Sequence, residues 1–167
     1  MKETSCCFTG HRKIPVRETE TVRRRIREKV TELYRLGFDT FLVGGAIGFD
    51  MLAAETLLDM RDAESLKLRM HSMLPFPAWR EKWEEDEIRR QDRIMARSDL
   101  VTFCMDHYFK QVYYLRDVML VDNAAYCIAW CKRTKGGTAF TVRHALRKGV
   151  PVCNTADWDI RRLQETE

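Results

Sequence analysis

The chain has 167 residues, 45% of them hydrophobic, which is enough for one continuous core and short for two. A formal charge of +4 in a chain that is 32% charged excludes a polybasic tail or an acidic low-complexity arm, so net charge names no partner. No apolar run approaches the ~18 residues of a membrane span, and MKETSCCFTG lacks the basic-then-apolar layout of a leader, so a cytoplasmic address and no membrane contact are expected.

Short apolar runs alternate with helix-length periodic segments along the whole chain. SCCFTG (5–10) reads as a strand, and residues 19–37 as a helix with Val22, Ile26, Val30 and Leu33 on one face and Gly37 at its end. DTFLVGG predicts a second strand, DMLAAETLLDMRD a second helix, and LKLRMHSMLPF (66–76) a third strand closed by proline. A long charged helix is predicted from Ala78 to about Arg97, then a fourth strand, DLVTFCM. Residues 108–123 read as a helix, AAYCIAWC (124–131) as a fifth strand, GGTAFTVRHALRKG as a helix and VPVCN (150–154) as a last strand, with a polar turn or frayed helix to Glu167. No repeat or flexible linker interrupts this order. Strands joined through helices make right-handed crossovers and a parallel sheet covered on both faces. The expectation is an α/β fold, a single Rossmann-like three-layer sandwich with a mostly parallel sheet, in one domain over 1–167.

Six cysteines stand at 6, 7, 104, 127, 131 and 153, with no CxxC pair or CxxxH companion to build a zinc site. Most lie in apolar runs, where a free thiol packs as a small hydrophobe, so no metal is expected. Reduced thiols also fit a cytosolic compartment.

Three loops that follow strands carry glycine: Thr9-Gly10-His11-Arg12, Gly44-Gly45-Ala46-Ile47-Gly48 and Lys135-Gly136-Gly137-Thr138. In a parallel sheet such loops share the carboxyl edge, where open α/β folds bind ligands. Two of them open onto helices, whose first N–H groups are unpaired and carry partial positive charge, and glycine lets an anion approach them. Arg12, Lys132, Arg133 and Lys135 add cations at that edge. The same glycines also suit tight βα turns, and Asp50 suits either a ribose hydroxyl or the first turn of its own helix. Neither GxGxxG nor GxxxxGK[ST] is present, and no cofactor is expected.

The TGHR stretch, GGAIGFDMLAAE, and RDVMLVDNAAYCIAW running on to KGGTAFTVRHA together resemble the YpsA-like group of the SLOG superfamily, over residues 5–154. That superfamily also holds the LOG cytokinin-activating enzymes and the DNA-processing protein DprA. The resemblance implies a pocket for a nucleotide or nucleotide-derived ligand, such as an ADP-ribose or NAD derivative. Its motif positions fall on Thr9, Gly10, His11 and Arg12, on Gly44, Gly45, Gly48 and Asp50, on Asp122, and on Gly136, Gly137 and Thr138, with Ala46 inside the second loop. LOG enzymes carry PGGxGTxxE, whose glutamate takes part in hydrolysis at the N-glycosidic bond. Here Gly137-Thr138 is followed by Ala139, Phe140, Thr141, Val142 and Arg143, with no glutamate before Gln164. Binding or sensing is therefore favoured over hydrolysis, for which Asp50, Glu55 or Asp122 would have to supply the carboxylate.

His11 has no visible carboxylate partner and reads as a hydrogen-bonding residue rather than a catalyst. Arg23, Arg24, Arg25 and Arg27 lie off the Val22/Ile26/Val30 stripe and read as a solvated face, so DprA-like nucleic-acid binding is not favoured. Trp79 and Trp83 read as core, with Tyr108 and Phe109 the better placed for stacking on a base. Homo-oligomerisation is left open.

Overall fold

The computed structural model describes residues 1–164. Its strands are β1 (Ser5–Gly10), β2 (Thr40–Val43), β3 (Arg69–Leu74), β4 (Leu100–Phe103), β5 (Tyr126–Trp130) and β6 (Val152–Asn154). They form one sheet in the order β4-β3-β2-β1-β5-β6, and every pairing is parallel. The helices are α1 (Thr19–Arg35), α2 (Phe49–Glu64), α3 (Glu85–Arg97), α4 (Val112–Asp122) and α5 (Gly137–Arg147). A short 3-10 turn, Ile160–Gln164, closes the described chain, and the remainder of the expected tail lies outside the described residues.

Strand periodicity divides the core in two. Cys6, Phe8, Phe41, Val43 and Met70 point to one face, where they meet the buried stripe of α1, most of α2 and Ile94 of α3. Cys7, Leu42, Met73, Cys127 and Ala129 point to the other, against Leu120 and Val121 of α4 and Ala139, Val142 and Ala145 of α5. Each aliphatic side chain of the α1 stripe, Val22, Ile26, Val30 and Leu33, is buried, a contribution of about 1.5–3 kcal/mol apiece relative to exposure. Cys7 and Cys127 sit opposite one another on β1 and β5 inside this second core. Among the described residues no helix is long and apolar enough to cross a membrane, and no cluster of three or more His, Cys, Asp or Glu could hold a metal.

Two helices begin later than periodicity predicts. The segment from Ala78 is not helical until Glu85: Trp79 and Trp83 stand on successive turns, closed by Trp79 N–H to Phe76 O (3.1 Å) and Trp83 N–H to Arg80 O (3.1 Å). The reason is local, since Glu84 and Glu87 form a reciprocal capping box that sets the start of α3. Likewise Tyr108 and Phe109 belong to no regular element, Lys110 and Gln111 form a turn, and α4 starts at Val112.

Sheet order decides where a site can form. From β1 to β4 the chain steps in one direction and lays α1, α2 and α3 on one face; α4 then carries it back to β5, beside β1, on the other face. The loops after β1 and β5 therefore depart to opposite faces and leave a crevice at the carboxyl edge between them.

Candidate functional site

A cavity of about 300 Å³ occupies that crevice. The β1 loop supplies its floor through Thr9, Gly10, His11 and Arg12. The imidazole of His11 is buried, and its Nε2 accepts the Lys132 backbone N–H at 2.8 Å, which ties the β1 loop to the β5 loop and places the ring proton on Nδ1. Burial, with the charges of Arg133 and Lys132 nearby, pulls its pKa down to about 4. His11 is thus a neutral hydrogen-bonding residue near pH 7.

The second glycine loop behaves differently from its sequence expectation. Ala46 and Asp50 line the cavity, whereas Gly44, Gly45 and Gly48 lie behind the wall. Gly45 O accepts the Trp79 indole N–H at 2.9 Å, and Gly44 O accepts a hydrogen bond from the Arg116 guanidinium. The Ala46 N–H goes to Asp50 Oδ2 at 3.2 Å, so the start of α2 is occupied by its own carboxylate. Glycine is required here by close packing: at Gly48, where φ is +83°, a Cβ would stand 2.3 Å from the Arg12 carbonyl oxygen.

The start of α5 is the open one. Gly136 is its N-cap, no side chain caps it, its first turn holds no acid, and Gly137 and Thr138 face the cavity. Arg12 and Arg133 line the same space, and neither makes a side-chain hydrogen bond or ion pair among the described residues. An uncapped helix start flanked by two available guanidiniums is a place where an anion gains charge-assisted hydrogen bonds.

The inner wall comes from α4, and periodicity did not single out its key residues. Arg116 and Asp117 are both buried; Arg116 Nε donates to Asp117 Oδ1 at 2.8 Å, and the same guanidinium lies near Asp50. Burial pushes the Asp50 carboxyl up to about 7, with Arg116 and the Ala46 N–H holding it from going higher. Burial also raises Asp117, against the pull of Arg116 and the neighbouring Thr141 hydroxyl. Two carboxyls thus share one guanidinium. The available signal was a charged pair in the apolar run YLRDVMLV, where a solvated pair has no place.

Asp122 is not part of this wall. It ends α4, five residues and roughly 7.5 Å of helix beyond Asp117 toward the amino edge, and its Oδ1 lies 2.9 Å from His144 Nε2. Glu55 is also away from the cavity, in an ion pair with Arg90 of α3. Phe8, Trp79, Trp83 and Tyr113 are the phenyl, indole and phenol rings that line the cavity. Tyr108 is instead 60% exposed against Phe76, and Phe109 packs into a small cluster with Phe76, Trp79 and Val112.

Fold and crevice together are those of a Rossmann-like α/β protein with its cavity at the topological switch point. Residues 6–150 match the model of the YspA SLOG family, and the chain belongs to that family. Among curated proteins it is similar to a UPF0398 protein of Macrococcus caseolyticus, with 23% identity over 108 residues that cover 64% of this chain and 58% of that one. A UPF0398 protein of Bacillus velezensis is 27% identical over 78 residues, covering 47% and 42%. A third, from Bacillus thuringiensis, is 22% identical over 133 residues, covering 78% and 72%. The chain thus spans about half the length of the first two relatives. Among solved structures it resembles DNA processing protein A from Streptococcus pneumoniae, with a TM-score of 0.64 and 17% identity, covering 89% of this chain and 48% of that one. It also resembles DNA processing protein A from Helicobacter pylori, described for its single-stranded DNA binding mode, with a TM-score of 0.64 and 14% identity, covering 97% and 79%. At these identities the structural likeness speaks for the fold.

Proposed function

We propose that the chain binds a nucleotide-derived ligand in the crevice between β1 and β5, with its phosphate at the start of α5. The observation that carries this reading is the uncapped α5 start facing Arg12 and Arg133, neither of which has a partner among the described residues. Thr9, His11, Asp50 and Thr138 would then make polar contacts with the rest of the ligand and Ala46 an apolar one, while Gly44, Gly45, Gly48 and Gly136 shape the loops that present them. A thermal-shift panel of AMP, ADP, NAD, ADP-ribose and cyclic nucleotides tests the reading, because a ligand that binds only the folded state raises the melting temperature. Arg12→Ala and Arg133→Ala should each weaken binding by about 10-fold or more, as charge-assisted hydrogen bonds contribute more than neutral ones, and melt as the wild type does. Unchanged affinity in both variants would place the phosphate elsewhere.

Asp50 makes binding pH-dependent. Its carboxyl is neutral below about 7 and gains charge above it, so an anion beside it meets rising repulsion. ADP-ribose, whose pyrophosphate diester does not titrate near neutrality, should bind more tightly at pH 6 than at pH 8. In Asp50→Asn the pH dependence should flatten, and calorimetry at both pH values shows whether it does.

A second reading, hydrolysis of the N-glycosidic bond, gains support from Asp50 and Asp117, two buried carboxyls on the cavity that replace the acid absent from α5. Water would add across the C1′–N bond, one carboxyl taking its proton and the other giving one to the departing base. Chromatography of each mixture decides between the readings: an intact ligand supports binding, and release of free base supports hydrolysis. A nucleic-acid track along α1 has less support, since Arg23, Arg24 and Arg25 are ion-paired to Glu20, Glu28 and Asp157.

A further inference from the structure

The inner cavity does not end at its aromatic wall. Arg12, Trp79, Trp83 and Tyr113 line it and also line a second, outer hollow of about 900 Å³. Phe76 and Tyr108 line the outer hollow and not the inner cavity, with the Tyr108 ring 5.8 Å from Phe76 and edge-on to it, and Tyr113 6.1 Å from the same ring. Tyr108 is 60% exposed and Tyr113 39%, both well above the core aromatics that surround them.

The charges of the two hollows differ. The outer one has Arg12, Lys13 and Lys82 against Glu81, Glu84 and Glu87, an even balance with no surplus for a row of phosphates. The inner one has Arg12, Arg116 and Arg133 against Asp50 and Asp117, a surplus of one cation, together with the open α5 start. Arg12 is the cation common to both, so it stands where a phosphate bridge would pass from one to the other. Aromatic side chains with open faces bind nucleobases by stacking, with little demand on base identity.

We infer that the outer hollow is a second base subsite, and that the ligand class is a dinucleotide: two nucleosides joined by a short phosphate bridge, one in the inner cavity and the other heterocycle against Tyr108 and Trp83. This rests on the proposed nucleotide pocket and adds the size and second base of its ligand. The inner cavity, about 300 Å³, is at the small end of ligand sites, while the outer hollow, about 900 Å³, is near the large end. The balanced outer charge disfavours a longer polyanionic strand, whose affinity comes mainly from phosphate contacts.

The test compares ADP-ribose with diadenosine pyrophosphate, two ligands with the same pyrophosphate charge that differ at the far ribose by the presence of a base. By calorimetry the wild type should bind diadenosine pyrophosphate about 10- to 100-fold more tightly, the range expected for one stacked base. Tyr108→Ala should remove that gain while leaving ADP-ribose affinity and the melting temperature unchanged. Equal affinity of the two ligands in the wild type, or equal weakening of both by Tyr108→Ala, overturns the second subsite and leaves the inner pocket standing. Binding of neither ligand overturns the pocket and the subsite together. A single-stranded ten-nucleotide oligothymidine that binds more tightly than diadenosine pyrophosphate also overturns the inference, since the outer hollow would then serve a strand.

Discussion

Gly45→Val is expected to destabilise the fold itself, beyond any effect on ligand binding. The backbone of Gly45 has φ of +75°, a region that costs a branched residue about 1–3 kcal/mol. A Cβ there would lie 2.3 Å from Leu74 Cδ2, inside the core, and overpacking of that kind costs a further ~1–3 kcal/mol. The sum of about 2–6 kcal/mol corresponds to a fall in melting temperature on the order of 4–24 °C for a chain of this size. Read as a phosphate loop, GGAIG predicts instead a variant that folds normally and fails to bind. The side chain would in fact meet Leu74, which does not line the cavity, so melting measured beside binding separates the two. A variant that melts like the wild type but loses all nucleotide binding would restore the phosphate role of this loop.

Arg116→Ala should be as damaging, for an electrostatic reason. Removing one member of a buried charged cluster leaves its partners without compensation and costs about 3–5 kcal/mol. The cost should depend on pH in a defined sense. Asp50 has a folded pKa raised above its unfolded value, so its protonated form stabilises the fold at low pH, and that stabilisation is lost as pH rises through about 7. Asp117 is raised in the same direction. Without Arg116 both carboxyls hold their protons to higher pH, so at pH 5 the variant carries fewer buried unpaired charges than at pH 8. Its melting temperature should therefore approach that of the wild type at pH 5 and fall away at pH 8. Adding Asp50→Asn and Asp117→Asn to Arg116→Ala should recover part of the loss at pH 8, because the cluster is then neutral. An equal deficit at both pH values would mean that Arg116 acts through packing alone.

Arg116 and Asp117 also show what a periodic reading of sequence leaves out. The stretch YLRDVMLVD looks like an apolar helix with two charged interruptions, and nothing in its spacing says that both charges turn inward toward the residue 50 carboxyl. That meeting requires α4 to cross the sheet and come to rest beside β1. Asp122 shows the opposite case: it lies on the same helix near a motif, but α4 runs antiparallel to the strands and carries its last turn to the amino edge, away from the cavity lining. Trp79 read as a core residue because of its helical spacing from Trp83. It is buried, yet one side of it forms cavity wall and its indole N–H holds Gly45 O.

Much else follows from sequence through short-range physics. Alternation in SCCFTG places Cys6 and Phe8 on one face and Cys7 on the other, and the Val22, Ile26, Val30, Leu33 stripe defines how α1 must pack. Strands alternating with helices dictate a parallel sheet, and a parallel sheet gathers its βα loops at one edge. That is why Gly10, Ala46, Asp50 and Gly137 are found around one cavity. Strand order is a different matter, because nothing local in the chain tells β5 to return to the side of β1 and open the crevice there. Only the tertiary structure decided which loop offers free N–H groups, since in the second loop Asp50, Trp79 and Arg116 take up the polar groups that spacing alone leaves open, while the α5 start keeps its own. Turn chemistry and periodicity are properties of neighbours along the chain; the availability of a donor depends on what the fold packs against it.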